Sequence, residues 1–340
     1  MPSLLLVLAE IERRDLPGEF ALLPYVESAY QTLPTKGKGP AGIWQLMAHT
    51  AIDRGLQVNR GYDQRLDILA STGVALDLIE RYDREFSDWR LASMAFNAGE
   101  YRVKRALGAM PAAGLDAQRL ARLKLTATTH QHLIRMLALS CIVSEPKRFG
   151  VELPAGDPDD LLIEVIPPAA LDLRLAATLA DLDLAEVLRF NAAWSGQARP
   201  HGPASRLLLP AQSADRLNQL LKDFPADMLG DWHTQLVDTA TEFADLASSL
   251  GVAPHVLAVA NRLDEGDRLQ SGQLLLLPGA EPAMSLPANS QIHAIKPGDT
   301  LSAIARHYGI RLEDLLRWNG LMTHSILRPG STLRIHEPSY

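Results

Sequence analysis

The chain has 340 residues, enough for two or more domains, and its composition, 47% hydrophobic and 21% charged, excludes an intrinsically disordered protein. The net charge of −7 divides unevenly, because residues 1–150 carry 19 basic and 16 acidic residues whereas residues 151–340 carry 14 and 24. The acidic second half offers no basic surface to phosphates, which excludes nucleic acid as its partner. The first half, at +3, suits an anionic polymer or has an ordinary mixed surface.

The first predicted element is an amphipathic helix in "MPSLLLVLAEIERRDLP". This segment has neither a basic leader nor a small-residue cleavage site, so we do not expect a signal peptide. No apolar run in the sequence approaches the roughly 18 residues that a membrane-spanning helix needs.

The next segment, "LLPYVESAYQ" at residues 22–31, places Glu27 inside an apolar run. Two interpretations are open at this point: a solvated glutamate on a helix surface, or an acid held in an apolar wall. The second would suit a general acid, because apolar burial is the usual means of keeping a carboxylic acid protonated near neutral pH.

Two later motifs, "GPAGIWQL" and "MAFNAGEYRVKRAL", combine amide and aromatic side chains. Asn and Gln offer donors and an acceptor to sugar hydroxyl and acetamido groups, and aromatic rings can stack on sugar faces. Each motif also has a purely structural interpretation, with Asn-Ala-Gly as a helix C-terminus and Trp as a core residue.

Helical periodicity runs through this half of the chain and predicts an all-α domain over residues 1–153. Val74, Leu78, Ile79 and Tyr82 share one face, and "THQHLIRMLALSCIV" places the single cysteine, Cys141, on a second apolar face. The histidines of "HQH" point to different faces of that helix, so no metal site is predicted.

The second half contains three related segments that predict small α+β units of the order β-α-α-β. The last, residues 293–335, has a short strand, a "PGDT" turn, two helices and a second strand. Weaker copies occupy residues 163–210 and 236–278, and an asparagine follows the second helix each time, at Asn191, Asn261 and Asn319. We delimit the units as the first repeat (160–215), the second repeat (234–280) and the third unit (291–337).

The third unit resembles a LysM module, a domain that binds polysaccharides containing N-acetylglucosamine. The first and second repeats resemble diverged LysM copies. The resemblance implies a glycan-binding groove between two loops, lined by Gly298, Asp299, Thr300, Leu301, Ile326, Leu327, Pro329 and Gly330.

The motifs around Glu27, in their order and spacing, resemble the lytic transglycosylase domain of glycoside hydrolase family 23, in its membrane-bound type D. The resemblance implies a multidomain protein whose lysozyme-like α-helical domain cleaves the MurNAc–GlcNAc bond of peptidoglycan and forms 1,6-anhydroMurNAc. Glu27 would be the single general acid and base. No metal or other cofactor is implied, and the oligomeric state is left open.

The resemblance also implies the residues that bind glycan and the place where the protein acts. We expect substrate contacts from Ser28, Tyr30, Lys36, Gly42, Trp44, Gln45, Phe96, Asn97, Ala98, Tyr101 and His132. The substrate class implies the periplasm or cell envelope. An export signal, and an outer-membrane anchor, would belong to a segment missing from this chain.

Three positions depart from the family pattern: Lys36 replaces a serine, Phe96 a tyrosine, and His132 a tyrosine thought to orient the acetamido group or the glutamate. A lysine charge close to Glu27 would oppose its role as an acid. Three functions follow as alternatives: an active lytic transglycosylase, a catalytically weak peptidoglycan-binding protein, and a hydrolytic muramidase.

Overall fold

The computed structural model describes residues 1–32, 39–59, 61–112, 114–194, 206–237, 239–279, 291–296, 298–319 and 332–335. The chain forms two compact units, Met1–Gly279 and Ala280–Tyr340. The first unit contains the helical domain and both diverged repeats, and the second contains the third unit of the sequence analysis.

The described part of the helical domain contains eight α-helices, which confirms the all-α prediction. They are α1 (Pro2–Arg13), α2 (Leu23–Ser28), α3 (Ala48–Asp53), α4 (Ile68–Phe86), α5 (Trp89–Ala98), α6 (Glu100–Leu107), α7 (Ala117–Ala121) and α8 (Ala127–Ser144). Short 3-10 helices lie at Gly18–Leu22, Pro146–Phe149 and Pro158–Asp160.

The core of this domain forms around α4 and α5, which pack on each other, while α5 also contacts α8. The apolar face predicted for α4 is confirmed, since its residues are buried. Side chains fix the starts of the long helices: Asp67 accepts from the Ala70 amide at α4, and Thr126 accepts from the Thr129 amide at α8. These caps set where α4 and α8 enter the core.

The rest of the chain contains short strands and paired helices. The elements are β1 (Leu162–Val165), α9 (Leu173–Ala180), α10 (Leu184–Phe190), β2 (Leu207–Pro210), α11 (Ala211–Leu220), β3 (Trp232–Leu236), β4 (Thr241–Glu242), α12 (Phe243–Ser249), α13 (Pro254–Asn261), β5 (Arg268–Leu269), β6 (Leu274–Pro278), β7 (Gln291–Ala294), α14 (Leu301–His307), α15 (Leu312–Asn319) and β8 (Thr332–Ile335). Strands pair antiparallel as β1–β2, β3–β6 and β7–β8, and each pair encloses two helices. A two-residue pair, β4–β5, adds to the second repeat.

The recurring asparagine has the same structural role in both diverged repeats. The Asn191 side chain donates to the Val187 carbonyl within α10 and to the Leu208 carbonyl on β2, and accepts from the Leu208 amide. The Asn261 side chain makes the same three bonds with Leu257 and Leu276. The asparagine thus fastens the end of the second helix to the returning strand, because one amide group can serve both a carbonyl and an N–H of that strand.

The first and second repeats share one hydrophobic core, whereas the third unit has a core of its own. Trp232 at the start of β3 is buried against the first repeat, where its amide donates to the Asp172 carboxylate and its carbonyl accepts from Arg174. The two repeats are therefore packed together, and separate motifs in the sequence do not indicate this.

Two details of the chain bear on its sequence interpretation. Cys141 is exposed, so its predicted place on an apolar face is wrong: Leu133 and Met136 on the first turns of α8 are buried, but the later turns reach beyond the core. Among the described residues no single helix is long and apolar enough to span a bilayer; the pair α12 and α13 passes that test only jointly, with a bend of 113°.

Candidate active site

Glu27 is the penultimate residue of α2, a helix that ends abruptly. Ala29 and Tyr30 follow with φ of 51° and 61°, in the left-handed region that non-glycine residues seldom adopt. The Tyr30 hydroxyl donates to the Ala21 carbonyl at 2.7 Å, which ties this turn to the start of the same segment. Burial raises the pKa of the Tyr30 hydroxyl, so it remains a neutral donor. The backbone around Glu27 is thus held on both sides.

The Glu27 carboxylate meets the imidazole of His132 on α8. The distance from His132 Nε2 to Glu27 Oε1 is 2.9 Å. The His132 side chain is 6% exposed and that of Glu27 is 17% exposed. Glu27 therefore lies mostly inside the domain wall while part of its side chain remains accessible, which favours the second of the two interpretations left open by the sequence.

The other ring nitrogen of His132 indicates which tautomer is present. His132 Nδ1 is buried and has no hydrogen-bond partner among the described residues. A hydrogen on Nδ1 would leave a buried donor unpaired, at a cost on the order of 1–3 kcal/mol. We therefore place the hydrogen on Nε2, where it is donated to Glu27 Oε1.

Contacts join the Glu27 segment, the "GIWQ" segment, the "AFNAG" segment and α8 in a closed ring. Ser28 donates from its hydroxyl to the Ile43 carbonyl at 2.8 Å, and the Trp44 and Phe96 rings lie 6.0 Å apart at 62°. The ring closes on α8, where the Thr129 hydroxyl donates to Asn97 Oδ1 at 3.0 Å and His132 meets Glu27. Motifs far apart in the sequence thus surround one carboxylate.

The "GIWQ" segment forms a tight hairpin, residues 41–46, which we call the active-site hairpin. Ala41 and Leu46 pair as an antiparallel bridge, and Gln45 donates from its side chain to the Gly42 carbonyl at 2.8 Å. Gly42 has φ of +75°, and a Cβ built there would overlap the carbonyl oxygen of Arg65. Glycine is required at this position both for the backbone conformation and for the close approach of a second chain segment.

The predicted substrate contacts divide into internal and accessible side chains. Trp44 is 0% exposed and donates to the Thr72 hydroxyl at 2.9 Å, so its predicted stacking on a sugar is wrong. Ser28 and Gly42 are also buried, and the hydroxyls of Ser28 and Tyr30 donate to backbone carbonyls of the protein; sugar contact by these three residues stays a prediction. Their physical role is to hold the backbone around Glu27.

The remaining candidates are accessible to different degrees. Asn97 is exposed and Tyr101 is 80% exposed, whereas Gln45, Phe96 and Ala98 are half-buried. His132 is buried and contacts Glu27, which agrees with the glutamate-orienting alternative of the sequence analysis, and its contact with glycan stays a prediction. Lys36 lies outside the described residues.

Sequence reasoning missed Arg65 and Thr129. Arg65 is 2% exposed, pairs with Asp63, and donates from NH1 to the Gly39 carbonyl at 2.6 Å and to the Leu46 carbonyl at 3.2 Å. Arg65 therefore binds the backbone just before the active-site hairpin and at the end of that hairpin. Nothing in the sequence around Arg65 marks it as a buried arginine. Among the described residues no group of three His, Cys, Asp or Glu side chains is arranged to hold a metal ion.

In the first loop of the third unit residues 298–301 are described, and their contact with glycan stays a prediction. Thr300 caps α14 by accepting from the Ala303 amide, Leu301 is buried in the core, and Gly298 has φ of +92°. Ile326, Leu327, Pro329 and Gly330 lie outside the described residues.

Asp299 is the charged group of that loop. A hydrogen bond from the Lys296 amide, and a second from His293, hold the pKa of the Asp299 carboxyl below its usual value of 3.8. A carboxyl with a lowered folded-state pKa stabilises the fold above its unfolded pKa, and this contribution is lost as the pH falls through the folded-state value. The Asp299 contacts are thus fully present near neutral pH.

The same regions match known families. Residues 8–116 match the transglycosylase SLT domain, and residues 293–336 match the LysM domain. The chain is 32% identical over 348 aligned positions to the membrane-bound lytic murein transglycosylase D of Escherichia coli K12, an alignment that covers 98% of this chain and 76% of that protein. The chain belongs to this lytic transglycosylase family.

A shorter similarity concerns a different cell-wall enzyme. The N-acetylmuramoyl-L-alanine amidase XlyA of Bacillus subtilis is 38% identical over 50 positions, which cover 15% of this chain and 17% of the amidase.

The transglycosylase domain and the C-terminal LysM module predicted from the sequence are both confirmed. The transglycosylase activity is confirmed at the level of the family.

Proposed function

We propose that this transglycosylase cleaves the β-1,4 bond between MurNAc and GlcNAc in peptidoglycan and forms 1,6-anhydroMurNAc, with Glu27 as the single acid and base. The observation that carries the proposal is the hydrogen bond between Glu27 and His132 inside a closed ring of family motifs. A mostly buried but still accessible carboxyl that a buried imidazole holds in place has the position that a general acid needs.

In the proposed reaction Glu27 first donates a proton and then accepts one. Glu27 Oε2 gives its proton to the glycosidic oxygen as the bond from that oxygen to C1 breaks. The resulting carboxylate takes the proton of the C6 hydroxyl as the C6 oxygen bonds to C1. The substrate's own acetamido group stabilises the positive anomeric carbon, so the scheme needs no second protein carboxylate, unlike most glycosidases.

His132 supports both halves of this cycle in the tautomer that we infer. Its Nε2–H donates to Glu27 Oε1 whether Oε2 carries a proton or not, so the carboxyl keeps its orientation throughout. The bond strengthens when Glu27 is ionised, since hydrogen bonds to charged groups are the stronger ones. His132 is thus a positioning residue for the acid.

The experiment that tests the proposal is digestion of purified sacculi with the full chain, followed by mass analysis of the soluble muropeptides. Anhydro products are expected. Products heavier by one water would indicate a hydrolytic muramidase, and binding to sacculi with no soluble product would indicate a catalytically weak binding protein; either result overturns the proposal.

Replacing His132 tests its role in the same assay. His132→Phe removes the donor to Glu27 and is expected to lower kcat by about 10- to 100-fold, because the acid loses its orientation. His132→Tyr is the matched control, since it keeps a ring and supplies a hydroxyl donor, and most of the activity should return. Equal turnover by the phenylalanine variant and the parent would show that the contact is dispensable.

We further propose that the LysM module binds glycan strands and acts through avidity. Peptidoglycan is an insoluble repeating polymer, so a second weak site on the same chain raises the effective concentration of the catalytic domain at its substrate. The structure supports a modular role, because the LysM module forms a compact unit with its own core.

Deleting residues 285–340 is expected to weaken binding to sacculi by about 10-fold or more, while turnover of short soluble glycans changes little. Binding is best measured by co-sedimentation with Glu27→Gln in both chains, so that the sacculi stay intact. An equal loss on sacculi and on soluble fragments would contradict this role.

We propose that the protein acts in the cell envelope, where its substrate is found. The Escherichia coli relative is named as membrane-bound. Outer-membrane anchoring of the present protein stays a prediction, tested by membrane fractionation of producing cells, and the absence of a nucleic-acid partner remains a prediction from charge.

A further inference from the structure

The first repeat is docked on the helical domain at the turn formed by residues 62–67. The rings of Tyr62 and Trp194 lie 4.1 Å apart, and the Asp63 amide donates to the Ala193 carbonyl at 2.9 Å. Tyr62 and Ala193 are buried together in a small apolar cluster. Trp194 thus joins the repeat to the helical domain through ring contact and backbone pairing.

An ion pair and shared core residues reinforce this contact. Arg206 donates to Asp67 Oδ2 at 2.8 Å and also pairs with Glu164 of the first repeat. Phe190 and Leu208 of the repeat are buried in the core of the helical domain. Asp67 is in turn the N-cap of α4, so Arg206 is linked to the start of the longest core helix.

The other side of the same turn holds the active-site hairpin. Arg65 donates to the Leu46 carbonyl at the end of that hairpin and to the Gly39 carbonyl just before it, and its own carbonyl packs against Gly42. The hairpin also contacts the Glu27 segment, because the Ile43 carbonyl accepts a hydrogen bond from Ser28, the residue after Glu27. The 62–67 turn therefore contacts the first repeat on one side and the active-site hairpin on the other.

In the first repeat, the described parts of the loops that correspond to a LysM glycan groove contact other parts of the protein. In the loop before α9, Asp172 accepts from the amide of Trp232, the first residue of β3. In the loop after α10, the described residues Ala193 and Trp194 contact the helical domain. These contacts favour a structural role for the repeat over glycan binding.

We propose that the first repeat is a fixed support for the active-site hairpin, and that Trp194 and Arg206 are positioning residues for the transglycosylase reaction, acting through the 62–67 turn. This inference rests on the proposed function of Glu27. The catalytic domain and first repeat then form one working unit, and binding of glycan is left to other parts of the chain.

The test uses the full chain with Trp194→Ala or Arg206→Gln, assayed on short soluble glycans and in sacculus co-sedimentation. We expect kcat to fall by about 10-fold, because a shift of the hairpin by a fraction of an ångström misplaces the substrate. KM and sacculus binding should stay unchanged. Arg206→Lys and Trp194→Phe should restore most of the turnover, and Arg216→Gln, a change at an exposed residue of α11 just beyond the repeat, is the matched control.

The outcomes separate the alternatives. Unchanged kcat in both variants, with the parent forming anhydro products, overturns the support role while the proposed function stands. A raised KM with weaker sacculus binding and unchanged kcat also overturns it, since that result places glycan on the repeat. If Trp194→Ala fails to fold, Arg206→Gln carries the test, because Arg206 is partly exposed and its loss leaves the apolar contacts intact. A parent without anhydro products would instead refute the proposed function.

Discussion

Glu27→Gln is expected to lower the release of anhydro muropeptides from sacculi by at least about 1,000-fold. The amide cannot give a proton to the glycosidic oxygen, and positioned proton transfer of this kind contributes about 10²–10⁴ to rate. The loss should be in kcat, because the Gln oxygen still accepts from His132 Nε2 and the shape of the site is kept. The measurement is mass-resolved product formation over time.

Glu12→Gln is the matched control for this variant, since Glu12 is an exposed glutamate of α1 in the same domain. It should act like the parent. Both variants should sediment with sacculi as the parent does. More than a tenth of the parent's turnover in Glu27→Gln would show that Glu27 is not the acid.

The second large effect is expected from Gly42→Ala, this time on stability. The new Cβ meets the Arg65 carbonyl at a position where φ is +75°, so both the hairpin and the 62–67 turn must shift. We expect the free energy of unfolding to fall by about 3–4 kcal/mol, from overpacking and a left-handed alanine combined. Denaturant unfolding of the full chain, followed by tryptophan fluorescence, measures this change.

Gly55→Ala separates the two causes. Gly55 has φ of +87°, but no atom lies within 4 Å of a Cβ placed there. Gly55→Ala should lower the free energy of unfolding by only about 1 kcal/mol, the cost of placing alanine in a left-handed backbone conformation. If both variants lose the same free energy, the close approach of Arg65 to Gly42 has no energetic weight.

Local patterns were sufficient to predict the helices, the two families and the candidate acid. The α4 face and the segment around Glu27 each depend on residues a few positions apart, and periodicity describes such relations well. The order of the motifs also indicated that they belong to one site.

Contacts between distant segments could not be predicted in this way. His132 is 105 positions from Glu27, and its alignment with a family tyrosine left open whether it orients the acetamido group or the glutamate. Trp44 was a plausible sugar platform because tryptophan suits both a binding face and a core, and only packing decides between these. Arg65 is an arginine that the sequence alone would place on the surface.

The common core of the two diverged repeats has a consequence for how the chain can change over evolutionary time. Removing either repeat would expose apolar residues of the other to solvent. A gene that lost one repeat would therefore encode a protein prone to aggregation and proteolysis. These repeats should be gained or lost as a pair. The LysM module, with a separate core, can be duplicated, exchanged or dropped by recombination without that penalty.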